Sequence, residues 1–147
     1  MRAPFQVIVL PYRVCNNSIQ ILVCKRSDDQ YWQCVSGGGE LAEKSIDAAI
    51  RELNEETGLT GIDWQKLDSQ CTVPKCHFRG NENWKEHPYV IPEYAFSVLV
   101  TESPVLSCEH TEYKWCDERE AIELLQYDSN KNAVWELYQR LNLVDNA

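Results

Sequence analysis

No apolar run in this 147-residue chain approaches the roughly 20 residues that a membrane-crossing helix needs. The opening stretch, MRAPFQVIVLPYR, has one early Arg but is broken by Gln6 and Pro11 and lacks a small-residue cleavage site, so it does not read as a signal peptide. Positive charge is scarce. Fourteen Lys and Arg against 23 Asp and Glu give a net charge of −9 and a pI near 4.8. That shortage argues against a partner such as nucleic acid or an anionic membrane, which demands a basic face. An anionic ligand would need local compensation, from metal ions or a few placed Lys and Arg. CxxC pairs are missing as well. The seven cysteines (15, 24, 34, 71, 76, 108 and 116) are odd in number and irregularly spaced, which argues against a zinc ribbon or a paired redox centre. Several, such as Cys24 in QILVCK, fall in apolar runs where a free thiol behaves as a small hydrophobe. Buried, reduced thiols predict a reducing cytoplasm, and the lack of a signal peptide and of a membrane-length run predicts a soluble, unexported protein. Cys71, Cys76 and His77 together make only half of a zinc site. Repeats and low-complexity linkers are absent too.

What is present fits one globular domain over residues 1–147, with 44% hydrophobic and 25% charged residues. FQVIVLPYRV (5–14) and IQILVCKR (19–26) are β-rich runs joined by CNNS, whose two Asn suit a turn. A short strand in YWQCVSGGGE (31–40) ends in three glycines. From about Lys44 to Thr57 the spacing predicts a helix with Ile46, Ala49, Ile50, Leu53 and Thr57 on its core face and Gly58 as its stop. Further strands are expected in 66–75, 89–102 and 113–116, with a polar loop between the first two that is long enough to bind a ligand. Helices are expected over 117–128, with Asp117 as N-cap, and over 130–141, with Val134, Leu137, Tyr138 and Leu141 facing the core. Trp115 and Trp135 read as core. The sum is an α/β (α+β) sandwich with a mixed sheet.

Within the first helix, RELNEETGL (51–59) crowds Glu52, Glu55 and Glu56 onto one arc, where like charges three or four apart repel. Taken alone, ExxEE also fits a solvated acidic face. A convergent acidic cluster beside the apolar stripe instead asks for a counter-charge, and hard divalent cations take oxygen ligands of this kind. The glycines of SGGGE allow backbone to approach a metal or a phosphate closely.

The whole stretch GGGELAEKSIDAAIRELNEETGL (37–59) matches the Nudix box at every defined position: Gly37, Glu43, Arg51, Glu52, Leu53, Glu55, Glu56, Gly58 and Leu59. The chain therefore resembles the Nudix hydrolases. The resemblance implies a Nudix-type α/β/α sandwich and Mg²⁺- or Mn²⁺-dependent hydrolysis of a nucleoside diphosphate linked to another group. YWQCVSGG and EHTEYKWCDEREA (109–121) are similar to segments of the dihydroneopterin triphosphate and nucleoside triphosphate pyrophosphatases; diadenosine tetraphosphate hydrolases carry a stretch like the second. The three consecutive glycines depart from the Gly-Ser pair of the pterin enzymes and follow the general family form.

By that resemblance Glu52, Glu55 and Glu56, with the backbone of Gly37, hold the catalytic metals, while Glu43 and Arg51 form a supporting ion pair. Glu109 joins the metal site or serves as base; the other reading is an ordinary loop acid beside Glu112. His110 either touches substrate or is structural. Trp32, Trp84 and Tyr113 are candidates to stack on a base or pterin, and Lys25, Arg26, Lys75 and Arg79 to neutralise phosphates. The expected partner is a small-molecule nucleotide or pterin triphosphate, with no nucleic acid or membrane, and a homodimer is left open. Cleavage to a monophosphate and pyrophosphate is the first expectation and dinucleoside polyphosphate hydrolysis the second. A non-catalytic Nudix sensor, a third reading, would have lost one or more of the glutamates this chain keeps.

Overall fold

The computed structural model describes residues 1–145. Strands β1 (Arg2–Cys15) and β2 (Ser18–Arg26) form a hairpin whose turn residues Asn16 and Asn17 take φ of 53° and 63°. A tight two-residue turn needs two left-handed positions, and Asn tolerates them. The chain continues through β3 (Trp32–Gln33), β4 (Val35–Glu40), α1 (Ser45–Thr57), β5 (Ile62–Pro74), β6 (Val90–Leu99), β7 (His110–Cys116), α2 (Glu118–Leu124) and α3 (Asp128–Asp145).

All seven strands lie in one mixed sheet with β1 at its centre. The first part of β1 pairs antiparallel with β4, Gln6 opposite Gly38 and Val9 opposite Val35, and its last residues pair with β2. Its other edge runs parallel to β6, with Gln6 opposite Glu93. The two-residue alternation of strands then sorts the core. Val7, Val9, Leu22, Phe96 and Val98 face α1, where they meet Ala48, Ala49 and Leu53. Ile8, Leu10, Ile21 and Val23 face α2 and α3, where they meet Ala121, Leu125, Val134 and Leu137. Burial of each such large side chain contributes roughly 1.5–3 kcal/mol. The result is the expected α/β/α sandwich, and among the described residues no helix is long and apolar enough to cross a membrane.

Helix α1 has no side-chain cap at its start, but it ends at Gly58, whose φ of 74° lets its N–H return to the Asn54 carbonyl. Its buried stripe is Ala48, Ala49, Glu52, Leu53, Glu56 and Thr57, rotated from the expected face, so that Ile50 is exposed. At α2, Asp117 accepts from the Glu120 N–H and the Glu120 carboxyl accepts from the Asp117 N–H, a capping box. The expected 117–128 helix stops at Leu124, and the next begins at Asp128 and runs past its expected end at 141. Trp135 is not core: on α3 the buried face is Ala133, Val134, Leu137 and Tyr138, which leaves the indole 58% exposed. Of the thiols, all free, Cys24, Cys34 and Cys116 are buried, whereas Cys15, Cys76 and Cys108 are exposed because they sit at strand ends and in loops.

Candidate active site

Helix α1 lies against β4, and this contact builds the acidic cluster. The Glu52 carboxyl rests directly on the Cα of Gly37, where any side chain would overlap it. Gly38 and Gly39 are covered in the same way, by the Arg2 guanidinium and the Phe5 ring. Arg51 ties the cluster together. Its Nε and Nη2 grip both oxygens of Glu43, at 3.0 and 2.9 Å. Nη2 also donates to the Gly38 carbonyl at 2.8 Å, and Nη1 donates to Glu52 at 3.0 Å and to Glu55 at 3.2 Å. Such a fork-to-carboxylate bond is among the stronger and more directional ones in proteins. The guanidinium holds the Glu43 carboxyl below its usual range, while burial pushes Glu52 up to about 7 against the pull of Arg51.

The other side of the cluster comes from the loop before β7. The Ser107 N–H donates to the Glu56 backbone carbonyl, and its hydroxyl to the Glu56 carboxylate at 3.3 Å. The carbonyl of Glu109 accepts from the N–H and hydroxyl of Ser27, at 2.9 and 3.1 Å. These bonds hold the Glu109 side chain against that of Glu56. That contact, and then burial, raises the Glu109 pKa. Burial also works to raise Glu56, but hydrogen bonds from His110, Glu109 and Ser107 outweigh it and hold Glu56 below its usual range. His110 itself is buried, with Nδ1 3.0 Å from Glu56 Oε2 and Nε2 3.3 Å from the Gln33 amide nitrogen.

Gln33 links the cluster to a cavity of about 600 Å³ on the α3 side of the sheet. Arg26 with Asp28 and Asp29, Gln33 and Ser36 line the end near the acids, and Cys71, Glu93, Asp128, Ser129 and Asn130 line another part, with His77 and Phe78 from the loop after β5. A smaller recess of about 250 Å³ adjoins it and shares Ile8, Cys71, Glu93, Asp128 and Ser129.

The predicted residues fall unevenly around this site. Glu43, Arg51, Glu52, Glu55, Glu56, Glu109, His110 and Gly37 are brought together. Arg26 borders the cavity, though Asp28 holds its guanidinium by two bonds of 2.8 and 2.9 Å. Lys25 instead pairs with Glu112 at 3.6 Å. Trp32 and Tyr113 line a separate shallow depression with Leu106 and Glu112, and Arg79 is exposed and outside the cavity lining. Trp84 cannot stack on a ligand, because it is 5% exposed, packs at 6.0 Å on Phe78 and donates its indole N–H to the Arg2 carbonyl. Sequence reasoning missed Gln33 and Glu93. Their signal was parity: Glu93 shares its strand face with Ile91 and Ala95, so a charged residue occupies an inward position.

Among the described residues no three Asp, Glu, His or Cys side chains already stand at metal-ligand spacing, Cys71, Cys76 and His77 included. The donor chemistry of the acidic cluster nevertheless fits Mg²⁺ or Mn²⁺. It offers carboxylate oxygens converging from α1, the ligands that hard divalent cations take.

A helix of carboxylates packed on a glycine strand, linked through His110 and Gln33 to a polar cavity on the other side of the sheet, has the donor set of a divalent-cation site. The sequence model of the NUDIX domain matches residues 4–141, so the chain belongs to the Nudix family of hydrolases. It is 28% identical to the dihydroneopterin triphosphate diphosphatase of Escherichia coli K12, over 90% of this chain and 91% of that one. It is also 28% identical to the asymmetrical bis(5'-nucleosyl)-tetraphosphatase of Mus musculus, over 86% and 83%. Among solved structures, a Listeria monocytogenes protein assigned to the Nudix hydrolases superposes with a TM-score of 0.86 at 39% identity, over 97% of both chains. The Escherichia coli dihydroneopterin triphosphate pyrophosphohydrolase shares the fold, with a TM-score of 0.69 at 24% identity over 90% and 93%.

Proposed function

We propose that this hydrolase, acting as one cytoplasmic domain, cleaves a free triphosphate of a pterin or purine nucleoside between its α and β phosphates, releasing a monophosphate and pyrophosphate. The observation that carries the reading is continuity: Gln33, in the cavity wall, touches His110, which touches Glu56 in the acidic cluster. A ligand lying in the cavity would present its phosphates to the carboxylates. The similarity to the pterin triphosphate diphosphatase over nine-tenths of the chain supports the same substrate class.

Glu52, Glu55 and Glu56, with the Gly37 backbone, would hold Mg²⁺ or Mn²⁺, which when bound supplies positive charge at the phosphate oxygens. Arg51 and Glu43 keep those carboxylates converged. Glu109, held on its loop opposite α1, takes the proton of the attacking water as the water oxygen bonds to phosphorus and the bridging oxygen leaves with pyrophosphate. Arg26 stands beside the phosphate path.

A panel of pterin and nucleoside triphosphates, assayed for pyrophosphate with Mg²⁺ and in ¹⁸O-labelled water, tests this directly. Label should enter one product only. Glu56→Gln should lower turnover at least about a hundredfold by removing a charge from the site. Near-normal turnover in that variant would reject the assignment. The similarity to the mouse tetraphosphatase favours a second reading: orthophosphate-free cleavage of a dinucleoside tetraphosphate to a triphosphate and a monophosphate, in clear preference to free triphosphates, would establish it.

A further inference from the structure

The cavity wall carries a carboxyl group without a cation. Glu93 is only 9% exposed, and Oε1 accepts from the Cys71 thiol at 3.4 Å. Burial raises its pKa; the groups that oppose this are the Ser129 hydroxyl and the Cys71 thiol, both neutral. Asp128 lines the same part of the cavity. Glu93 and Asp128 together repel phosphate; Asp28 and Asp29 line the other end, but there Arg26 pairs with them and metals held by the acidic cluster would add positive charge, so the phosphates of a ligand belong at that end. What enters beside Glu93 must not be anionic and must be rich in N–H donors, because only donors satisfy a buried carboxylate; the neutral base of a triphosphate meets both conditions.

Resting on the triphosphate reading above, we propose that Glu93 reads the base: its two carboxylate oxygens accept the paired N–H donors of a 2-amino-4-oxopyrimidine edge, the edge common to guanine and pterins. Two parallel donors match two parallel acceptor oxygens, the geometry that makes bidentate carboxylate contacts strong. Hypoxanthine keeps the ring N–H but lacks the 2-amino group and leaves one oxygen bare. Adenine offers one amino donor beside a ring nitrogen whose lone pair faces the second oxygen. Glu93 is thus a specificity residue for the reaction, remote from the bond that breaks.

The test measures kcat/KM by pyrophosphate release for dihydroneopterin triphosphate, GTP, ITP and ATP, in the wild-type protein and in Glu93→Gln. A hydrogen bond to a charged group sets the scale, so the wild type should favour GTP over ITP by roughly 10–100-fold. In Glu93→Gln, whose amide offers one acceptor in place of two, the GTP:ITP ratio should collapse to within about threefold, and the pterin substrate should lose at least as much as GTP. The ratio is taken within one preparation, so it does not depend on how much of the variant is folded. Where only the pterin substrate turns over, GTP and ITP are compared as competitive inhibitors. A wild-type ratio near one, or a ratio unchanged by Glu93→Gln, overturns the base assignment and leaves the triphosphate reading standing. No turnover of any triphosphate overturns both.

Discussion

Substituting Gly37 by Ala adds a single methyl group, and the structure says where it goes. The methyl would occupy the space of the Glu52 carboxyl carbon and both of its oxygens. The Gly37 backbone does not have positive φ, so alanine brings no backbone strain. Non-bonded carbons prefer about 3.5–4.0 Å, so the carboxyl must retreat by about 1–2 Å. Since the colliding atoms are the far end of a flexible side chain, the fold absorbs the change. An off-rotamer Glu52 and its weakened bond to Arg51 together cost about 1–2 kcal/mol, or a fall in melting temperature of about 5 °C. Chemistry is less forgiving. Misplacing a catalytic group by about 1 Å can slow a reaction about a hundredfold, so Gly37→Ala should lose at least that much pyrophosphate release while melting cooperatively near the wild-type temperature. Turnover within about threefold of wild type would show that the Glu52 position does not matter and would refute the reasoning.

Glu109→Gln should slow hydrolysis by roughly 10²–10⁴-fold, the usual range for general-base help, whereas Glu112→Gln, which only frees Lys25, should leave it nearly unchanged; equal small losses would make Glu109 a loop acid. The raised Glu52 pKa, about 7 in the folded protein against 4.5 ordinarily, has a definite sign. Between those two values the unfolded chain loses its proton first, so the metal-free protein loses stability through this group as pH rises from about 4.5 to 7. Mg²⁺ must displace that proton, so the Mg²⁺ midpoint, followed by melting temperature, should fall to lower concentration between pH 6 and pH 8; equal midpoints would contradict the assignment.

Helix α1 was legible because its apolar spacing and its Gly58 stop are local signals, and the observed helix differs from the expected one by a single residue at its start. Its exact buried face was not, since periodicity places Ile50 inside and cannot foresee that Gly37 makes room for Glu52 and that His110 and Ser107 hold Glu56 there. The acidic cluster was readable as a sequence pattern with fixed spacing. The cavity was not: Gln33, Glu93 and Asp128 come from three distant segments that only the sheet and α3 bring together. Trp84 shows the same limit. Its polar neighbours suggested a binding loop, but the indole turns back to cap the Arg2 end of β1, a long-range contact invisible in local composition.

The central place of β1 also bears on synthesis. Of the seven strands this one is synthesised first, yet its parallel partner β6 begins only at Val90 and the loop bearing Glu109 follows later. Until those segments appear, β1 can pair only with β2 and β4, leaving its other edge and both of its apolar faces incompletely covered. Parallel pairing across so long a loop is slow to close. The nascent chain should therefore hold the acidic helix already wound but unable to complete its site, and interruption of synthesis before β6 would yield an open edge strand prone to self-association rather than a weak enzyme.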